Sequence, residues 1–478
     1  MRVTGGRLAR DSVWMISVQV FGRGLTLLFS LYAASALGVE KFGVYGYAMA
    51  IITLIASFAD FGSNTYQVRQ TAVLPYELEK RRLLTSALSL RTTLSIIGYV
   101  ILLIVVKILN RDETTSTLIL LLGAGMFFNN IASGFTQSLV GLENFKLYGW
   151  IATASQALNV GAACLLIYAG YGLLGIGYAY SIWAFISFIA ITFLFVFRHY
   201  APAFRFSGKE LKSFFLGALP IGLTVILVSI YYKSDYIILG YFKGSIEVGY
   251  YNAAYVIVNA MIFIPATIST TVLPRLANFF GKEDENLEIL YQKVFKYLFF
   301  AGFGLAFGTM AVSSKLIASI YPGEFAISFK ALNILIWALA LIFFNSIQGN
   351  MLVAIGKQNY LVYVTGAAAI INVGLNFLAI PRYGMQGAAS TTVLAEIVAG
   401  ISCLYILRDY NGVVNVLPTI IRTIVAGVSM YTMLLIIGDI TLFVKIPFGI
   451  FIYFIVLYAI GGLAKSDIQT VKDIFRRG

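Results

Sequence analysis

The sequence predicts an all-α integral membrane protein of about fourteen transmembrane helices, with two six-helix lobes in parallel repeat and two extra helices at the C-terminal end. Three observations predict it. The 478-residue chain is 59% hydrophobic and only 12% charged, with a mean hydropathy of +0.86; a soluble domain carries about 25% charged residues. The apolar residues fall in runs of about 20, the length a helix needs to cross a bilayer core. Short motifs then recur along the chain at a nearly constant offset, the mark of an internal duplication.

The apolar runs lie near 13–37, 43–63, 84–106, 116–139, 148–168, 174–197, 213–241, 247–272, 294–313, 329–352, 361–380, 386–407, 417–437 and 440–463. They are too long, and too poor in period-2 alternation, for barrel strands. The first run follows Arg2, Arg7 and Arg10 and contains Ala34-Ser35-Ala36, so it imitates a signal peptide. It is too long for that role and Arg23 interrupts it; a retained helix is expected.

Basic residues orient the spans. With the N-terminus inside, cytoplasmic segments hold 23 of the 34 Lys and Arg residues, outside segments hold eight, and Arg23, Arg91 and Lys233 stay within helices. A multi-pass protein of the cell membrane with both termini in the cytoplasm is expected. The net charge of +13 is thereby a topology signal plus attraction to anionic lipid, and no nucleic-acid partner is expected. Leu287, Leu290, Tyr291 and Val294, and in the tail Ile468, Val471 and Phe475, form apolar stripes that suggest helices lying on the inner leaflet.

The repeat can be read residue by residue. Gly43-Val-Tyr-Gly-Tyr-Ala recurs as Gly249-Tyr-Tyr-Asn-Ala-Ala, an offset of 206 that also carries Arg69 onto Arg275. Leu139-Val-Gly-Leu matches Leu352-Val-Ala-Ile, and Asn159-Val-Gly161 matches Asn372-Val-Gly374, both at 213. Tyr171-Gly-Leu-Leu-Gly175 matches Tyr383-Gly-Met-Gln-Gly387 at 212. The expected organisation is an N-lobe over 1–200 (helices 1–6), a C-lobe over 207–408 (helices 7–12), extra helices over 417–463 and an amphipathic cytoplasmic tail over 464–478. An even number of spans separates the copies, so they run the same way through the membrane, and a substrate path is expected between them.

Charges inside the spans are the candidate site. A cation at mid-bilayer costs roughly 3 kcal/mol on insertion scales, so it is kept mainly where it meets water, a counter-charge or an anionic ligand. Arg23 lies about ten residues from either end of the first span, and Lys233, followed by Asp235, lies in the seventh. Position 23 maps to 229 in the repeat, one turn from Lys233, so both lobes offer a cation at similar depth. Asp235 either neutralises Lys233 or, being two residues away, points to another face. Asp60, near the cytoplasmic end of the second span, is a cavity candidate or a cap and ion-pair residue, and Glu396, mid-span in the twelfth, is a candidate for protonation or cation binding. Arg91 and Arg422 lie near cytoplasmic ends, where snorkelling accounts for them. Amides such as Gln19, Asn129, Asn130, Gln156 and Asn159 suit a hydrated chamber.

Absences narrow the function class. The sequence has no G-x-x-x-x-G-K-[ST] phosphate loop, and its single histidine, His199, sits beside Arg198 in a basic loop. Cys164 and Cys403 fall in separate apolar runs as small core residues. No enzyme chemistry and no metal site are expected.

The motifs in order resemble a known family. Arg10-Asp-Ser-Val-Trp14, Leu37-Gly-Val-Glu-Lys-Phe-Gly-Val-Tyr45, Ala59-Asp-Phe-Gly62, Leu219-Pro-Ile-Gly222, Asp235-Tyr-Ile-Ile-Leu-Gly240, Val248 to Tyr255, Leu273-Pro-Arg-Leu276 and Ile380-Pro-Arg-Tyr-Gly384 are similar to the polysaccharide-biosynthesis (Wzx-type) flippases of the MATE-like, or MOP, superfamily. The resemblance implies a MATE-like fold. It also implies alternating-access transfer of a polyprenyl-diphosphate-linked oligosaccharide from the cytoplasmic to the outer leaflet. Cations on the first and seventh helices of such proteins face a central cavity, which implies that role for Arg23 and Lys233, and the last two helices resemble the pair beside a lipid-tail groove in lipid II flippases. Membrane lipids are expected partners, with polymerase or glycosyltransferase proteins of the same pathway as candidates, around a monomer. No cofactor is expected; an H+ or Na+ gradient or the membrane potential is the candidate driving force. The alternatives are a lipid II flippase, a cation-coupled MATE-type exporter and, more distantly, a membrane-embedded polymerase or ligase.

Overall fold

A computed structural model describes residues 5–203, 207–282, 286–408, 416–438 and 440–463. Among the described residues there is no strand. The helices are α1 (Gly5–Asp60), α2 (Ser63–Val73), α3 (Glu77–Leu109), α4 (Glu113–Gly141), α5 (Phe145–Leu166), α6 (Gly172–Arg198), α7 (Gly208–Met261), α8 (Phe263–Gly281), α9 (Asn286–Ile320), α10 (Phe329–Ala354), α11 (Asn359–Leu407), α12 (Val416–Ile436) and α13 (Leu442–Ala459). A π-helical turn (Ile167–Tyr171) joins α5 to α6, and a 3-10 turn (Gly323–Ser328) precedes α10. The expected tail over 464–478 lies outside the described residues.

Ten helical stretches, rather than fourteen separate helices, are long and apolar enough to cross a membrane among the described residues. The difference lies at glycines where the chain turns without a loop. Gly38 (φ 77°, ψ 171°) bends α1 and Gly244 (φ 81°, ψ −177°) bends α7, 206 residues later with the same backbone geometry. Gly172 (φ 53°, ψ −130°) opens α6 and Gly384 (φ 54°, ψ −134°) breaks α11, 212 residues later. Those separations equal the sequence offsets. Such φ values are strained for any residue with a Cβ, so each repeat places a glycine where its helical run is interrupted.

The chain packs as two compact units, residues 1–252 and 253–478. This division by packing cuts α7 near its end and differs from a division by repeat. In the first unit α4 lies against α3 and α6, and α5 lies against α1 and α6. Phe135 and Phe195 meet at 5.5 Å in the core between α4 and α6. The segments after the two bends also cross closely. A Cβ on Gly43 would lie 1.8 Å from the Ser245 carbonyl oxygen, and one on Gly249 would lie 2.1 Å from the Val39 carbonyl oxygen. Residues 39 and 245, like 43 and 249, are one repeat apart, so the crossing maps onto itself when the repeats are exchanged. Only glycine permits that approach.

In the second unit α9 packs on α10 and α12, and α10 on α11. Phe295, Phe299 and Phe303 stack along α9, with Phe344 of α10 against the first two. Tyr453 of α13 donates a 2.8 Å hydrogen bond to the Phe300 carbonyl, seating the last helix on α9. Leu287 and Tyr291 are buried at the start of α9. The stretch expected to lie on the leaflet surface forms the first turns of the long helix α9, with Leu287 and Tyr291 buried and Leu290 and Val294 partly buried. The same period describes either partner.

We expect Gly43→Ala or Gly249→Ala to destabilise the protein by about 2 kcal/mol or more, since a backbone atom cannot move aside as a side chain can. Gly161→Ala, where a Cβ meets nothing within 4 Å, is expected to be near neutral. Unfolding temperatures of the purified variants compare the three.

Candidate functional site

Three polar groups stand within the apolar stretches of the first unit, and they have different fates. The first lies on α1. Arg23 is exposed, as are Gln19 and Thr26, one turn to either side on the same face. Gln156 of α5 donates a 3.1 Å hydrogen bond to Thr26 Oγ1. Val13, Val20 and Leu28 are exposed on another face of the same helix. α1 therefore presents an apolar strip and, separately, a strip of amide, guanidinium and hydroxyl. Hydrocarbon suits the first strip and cannot suit the second.

The second group lies on α7. Lys233 is half-buried, with Nζ 5.3 Å from the centroid of the Tyr236 ring, a cation–π placement. Asp235 is buried, and its Oδ2 accepts a 2.8 Å hydrogen bond from the Tyr251 hydroxyl. Tyr236 and Tyr251 meet edge to face at 5.1 Å, and the Tyr236 hydroxyl donates to Asn252 Oδ1 at 3.3 Å. Asp235 is therefore tied into the helix pair across the Gly244 bend, while Lys233 keeps part of its surface free.

The third group corrects the expectation for Arg91. Arg91 does not snorkel: its side chain is 0% exposed. Its guanidinium donates to Asp60 Oδ1 (3.4 Å), Asn64 Oδ1 (2.9 Å), Gln67 Oε1 (3.4 Å), Asn130 Oδ1 (3.2 Å), the Asn130 carbonyl (3.3 Å) and Ser133 Oγ. Asp60 also accepts from Ser63 Oγ at 3.1 Å and from the Asn64 backbone N–H at 3.2 Å. It thereby caps α2 just past the Phe61–Gly62 break, where φ is 45° and 72°. Asp60 is both a cap and an ion-pair residue. Polar positions at helical spacing (60, 64 and 67; 130 and 133) are the sequence signal that could have exposed this cluster; depth in a span could not.

Glu396 belongs to the second unit. It is buried on α11, and Asn345 of α10 donates from Nδ2 to its Oε2 at 2.7 Å and to its backbone carbonyl at 3.0 Å. The structure thus brings Asp60 to Arg91, joins Lys233 and Asp235 to the two rings of one Tyr236–Tyr251 pair, and sets Glu396 among α10 and α11. Among the described residues no group of three or more His, Cys, Asp or Glu side chains could hold a metal ion.

In the second unit a cavity of about 540 Å³ opens between α9, α12 and α13. Its walls are almost wholly apolar, with Phe300, Val312, Met430, Leu434, Ile450 and Tyr453 among them.

A family model described as "Polysaccharide biosynthesis protein" matches residues 8–280, more than half of the chain. The chain belongs to the polysaccharide biosynthesis protein family. A second model, MatE, matches residues 220–378. Two relatives frame the family member. One is the "Probable low-salt glycan biosynthesis flippase Agl15" of Haloferax volcanii, 23% identical over 458 residues, covering 93% of this chain and 94% of that protein. The other is the capsular polysaccharide biosynthesis protein CapF of Staphylococcus aureus, 23% identical over 388 residues, covering 77% of this chain and 91% of that protein. In fold, the chain is similar to lipid II flippase MurJ in an inward closed conformation, with a TM-score of 0.75, 17% identity, and coverage of 93% and 98%. It is also similar to an inward-facing multidrug resistance MATE family transporter of the MOP superfamily, with a TM-score of 0.64, 18% identity, and coverage of 84% and 100%. The MATE-like all-α membrane fold of this family member follows.

For Asp235 we expect Tyr251→Phe to cost about 1–3 kcal/mol, because a buried carboxylate loses a donor that water cannot replace. A loss of thermal stability in the purified variant checks it, and an unchanged unfolding temperature would show Asp235 to be held by other groups.

Proposed function

We propose that the protein is a flippase that moves a polyprenyl-diphosphate-linked oligosaccharide from the cytoplasmic to the outer leaflet by alternating access, for surface polysaccharide or glycoconjugate synthesis. The observation that carries this reading is the exposed strip Gln19, Arg23 and Thr26 in mid-span of α1. Each unpaired hydroxyl taken through hydrocarbon costs about 1–3 kcal/mol, and a diphosphate adds a far larger charge cost. A water-lined strip carrying a permanent cation lowers both costs. In this reading Arg23 and Lys233 attract the diphosphate, the amides meet the sugar, and the lipid tail stays in the apolar phase. The apolar cavity between α9, α12 and α13 suits one segment of such a tail.

The N-lobe over 1–200 and C-lobe over 207–408 would be the moving halves, with Asp60 and Asp235 holding the helices that carry the path and Glu396 as a further charge near it. The proposed setting is the inner or plasma membrane with both termini cytoplasmic, a monomer working beside polymerase or glycosyltransferase partners. No covalent bond is made or broken. Translocation needs no bound cofactor, and an H+ or Na+ gradient or the membrane potential would supply direction. Lipid II, which carries the same kind of polyprenyl-diphosphate tail, is the second reading, and the apolar cavity beside α12 and α13 suits its tail equally.

We expect Arg23→Ala and Lys233→Ala each to lower surface glycan display at least tenfold, with membrane insertion unchanged, and Arg23→Lys to retain part of it. Normal display in both alanine variants would remove the cavity role. New glycosidic bonds formed by the purified protein in vesicles would remove the transport reading itself. Rescue of cells depleted of their lipid II flippase would select the second reading.

A further inference from the structure

We infer that the cluster around Arg91 is a cation-binding cage, built for a monovalent cation and permanently occupied by the protein's own guanidinium. The case rests on the donor set. Every atom that Arg91 meets at hydrogen-bond distance is an oxygen: one carboxylate (Asp60), three side-chain amide carbonyls (Asn64, Gln67, Asn130), one backbone carbonyl (Asn130) and one hydroxyl (Ser133). They come from three helices: Asp60 ends α1, Asn64 and Gln67 lie on α2, and Asn130 and Ser133 lie on α4. Oxygens of carboxylate, carbonyl and hydroxyl type are the ligands that hard cations take.

The cage is also fixed from behind. Gln67 turns its Nε2 away, to the Gly134 carbonyl at 2.7 Å and Ser138 Oγ at 2.9 Å, which leaves Oε1 toward Arg91. Asn130 likewise gives its Nδ2 to Ser95 Oγ at 2.7 Å, which leaves Oδ1 inward. Both amides are thus oriented with acceptors facing the centre. Remove the guanidinium and one negative charge and five neutral acceptors remain around the space it fills.

The occupant does not exchange. A guanidinium keeps its proton throughout the physiological range, and Arg91 is covalently held at 0% exposure. The charge of Asp60 is therefore answered at all times, whatever ion gradient exists across the membrane. A cation that is taken up and released during transport binds elsewhere in the chain. The inference concerns the resting structure of the first unit and stands whether or not the protein moves a lipid-linked sugar.

Purified full-length protein in lipid nanodiscs tests it, with sodium, guanidinium and choline chloride compared at millimolar concentration and equal ionic strength. The wild type is expected to unfold at the same temperature in sodium as in choline. Arg91→Ala is expected to unfold at lower temperature in choline and to recover about half of the loss in guanidinium or sodium, since a ligand that binds only the native state stabilises it. Arg91→Ala combined with Asp60→Asn is expected to show no such selectivity. Arg91→Lys keeps a cation in the cage and serves as the variant that folds; it is expected to be intermediate, with a smaller response to guanidinium. Equal losses in the Lys and Ala variants would mean that packing, not charge, holds the cage. Equal stability of Arg91→Ala in all three salts would overturn the proposal, as would a sodium-specific stabilisation of the wild type that Asp60→Asn abolishes.

Discussion

The intolerance of hydrocarbon for unpaired polar groups governs this molecule. Backbone groups meet it by forming helices almost throughout, and side-chain charges meet it in two opposite ways. Arg91 is surrounded by protein oxygens from α1, α2 and α4 and sees no solvent. Arg23, of the same chemistry and also within a long apolar stretch, is left exposed beside Gln19 and Thr26. One arginine completes a structure; the other keeps its charge available.

That contrast separates enclosed from exposed polar groups inside the first unit. The Arg91 cage ties the end of α1 to α3 and α4 across the Phe61–Gly62 break, so the polar residues there are consumed in holding a bend. Asp235 is treated similarly by Tyr251. Lys233 is not: its ammonium lies 5.3 Å from the centroid of the Tyr236 ring, and the side chain is half-buried. A buried pair of charges is weak evidence for stability by itself, because desolvation offsets much of the attraction. What distinguishes these sites is how completely their acceptors are matched.

The duplication appears again in the backbone. Gly38 and Gly244, and Gly172 and Gly384, adopt matching left-handed conformations at matching places. The mutual approach of Gly43 and Gly249 repeats the same exchange in packing. A glycine interrupts each helical run without the loop whose backbone groups would need water.

Much was legible in the sequence because its causes are local or additive. Span length, hydropathy and the order of motifs determined the membrane class, the family resemblance and the duplication, and Arg23 and Lys233 stood out because a charge is rare in such surroundings. The tertiary structure alone decided what each charge meets. Arg91 lies nearer a helix end than Arg23, and depth made it the snorkelling residue; the acceptors that enclose it come from α1, α2 and α4, up to 42 positions away. The stripe at Leu287 and Tyr291 was equally ambiguous, since an apolar face has the same period against a leaflet as against α9's neighbours. Periodicity reports that a face must be covered and composition reports that a charge must be answered. Only the packed chain determines by what.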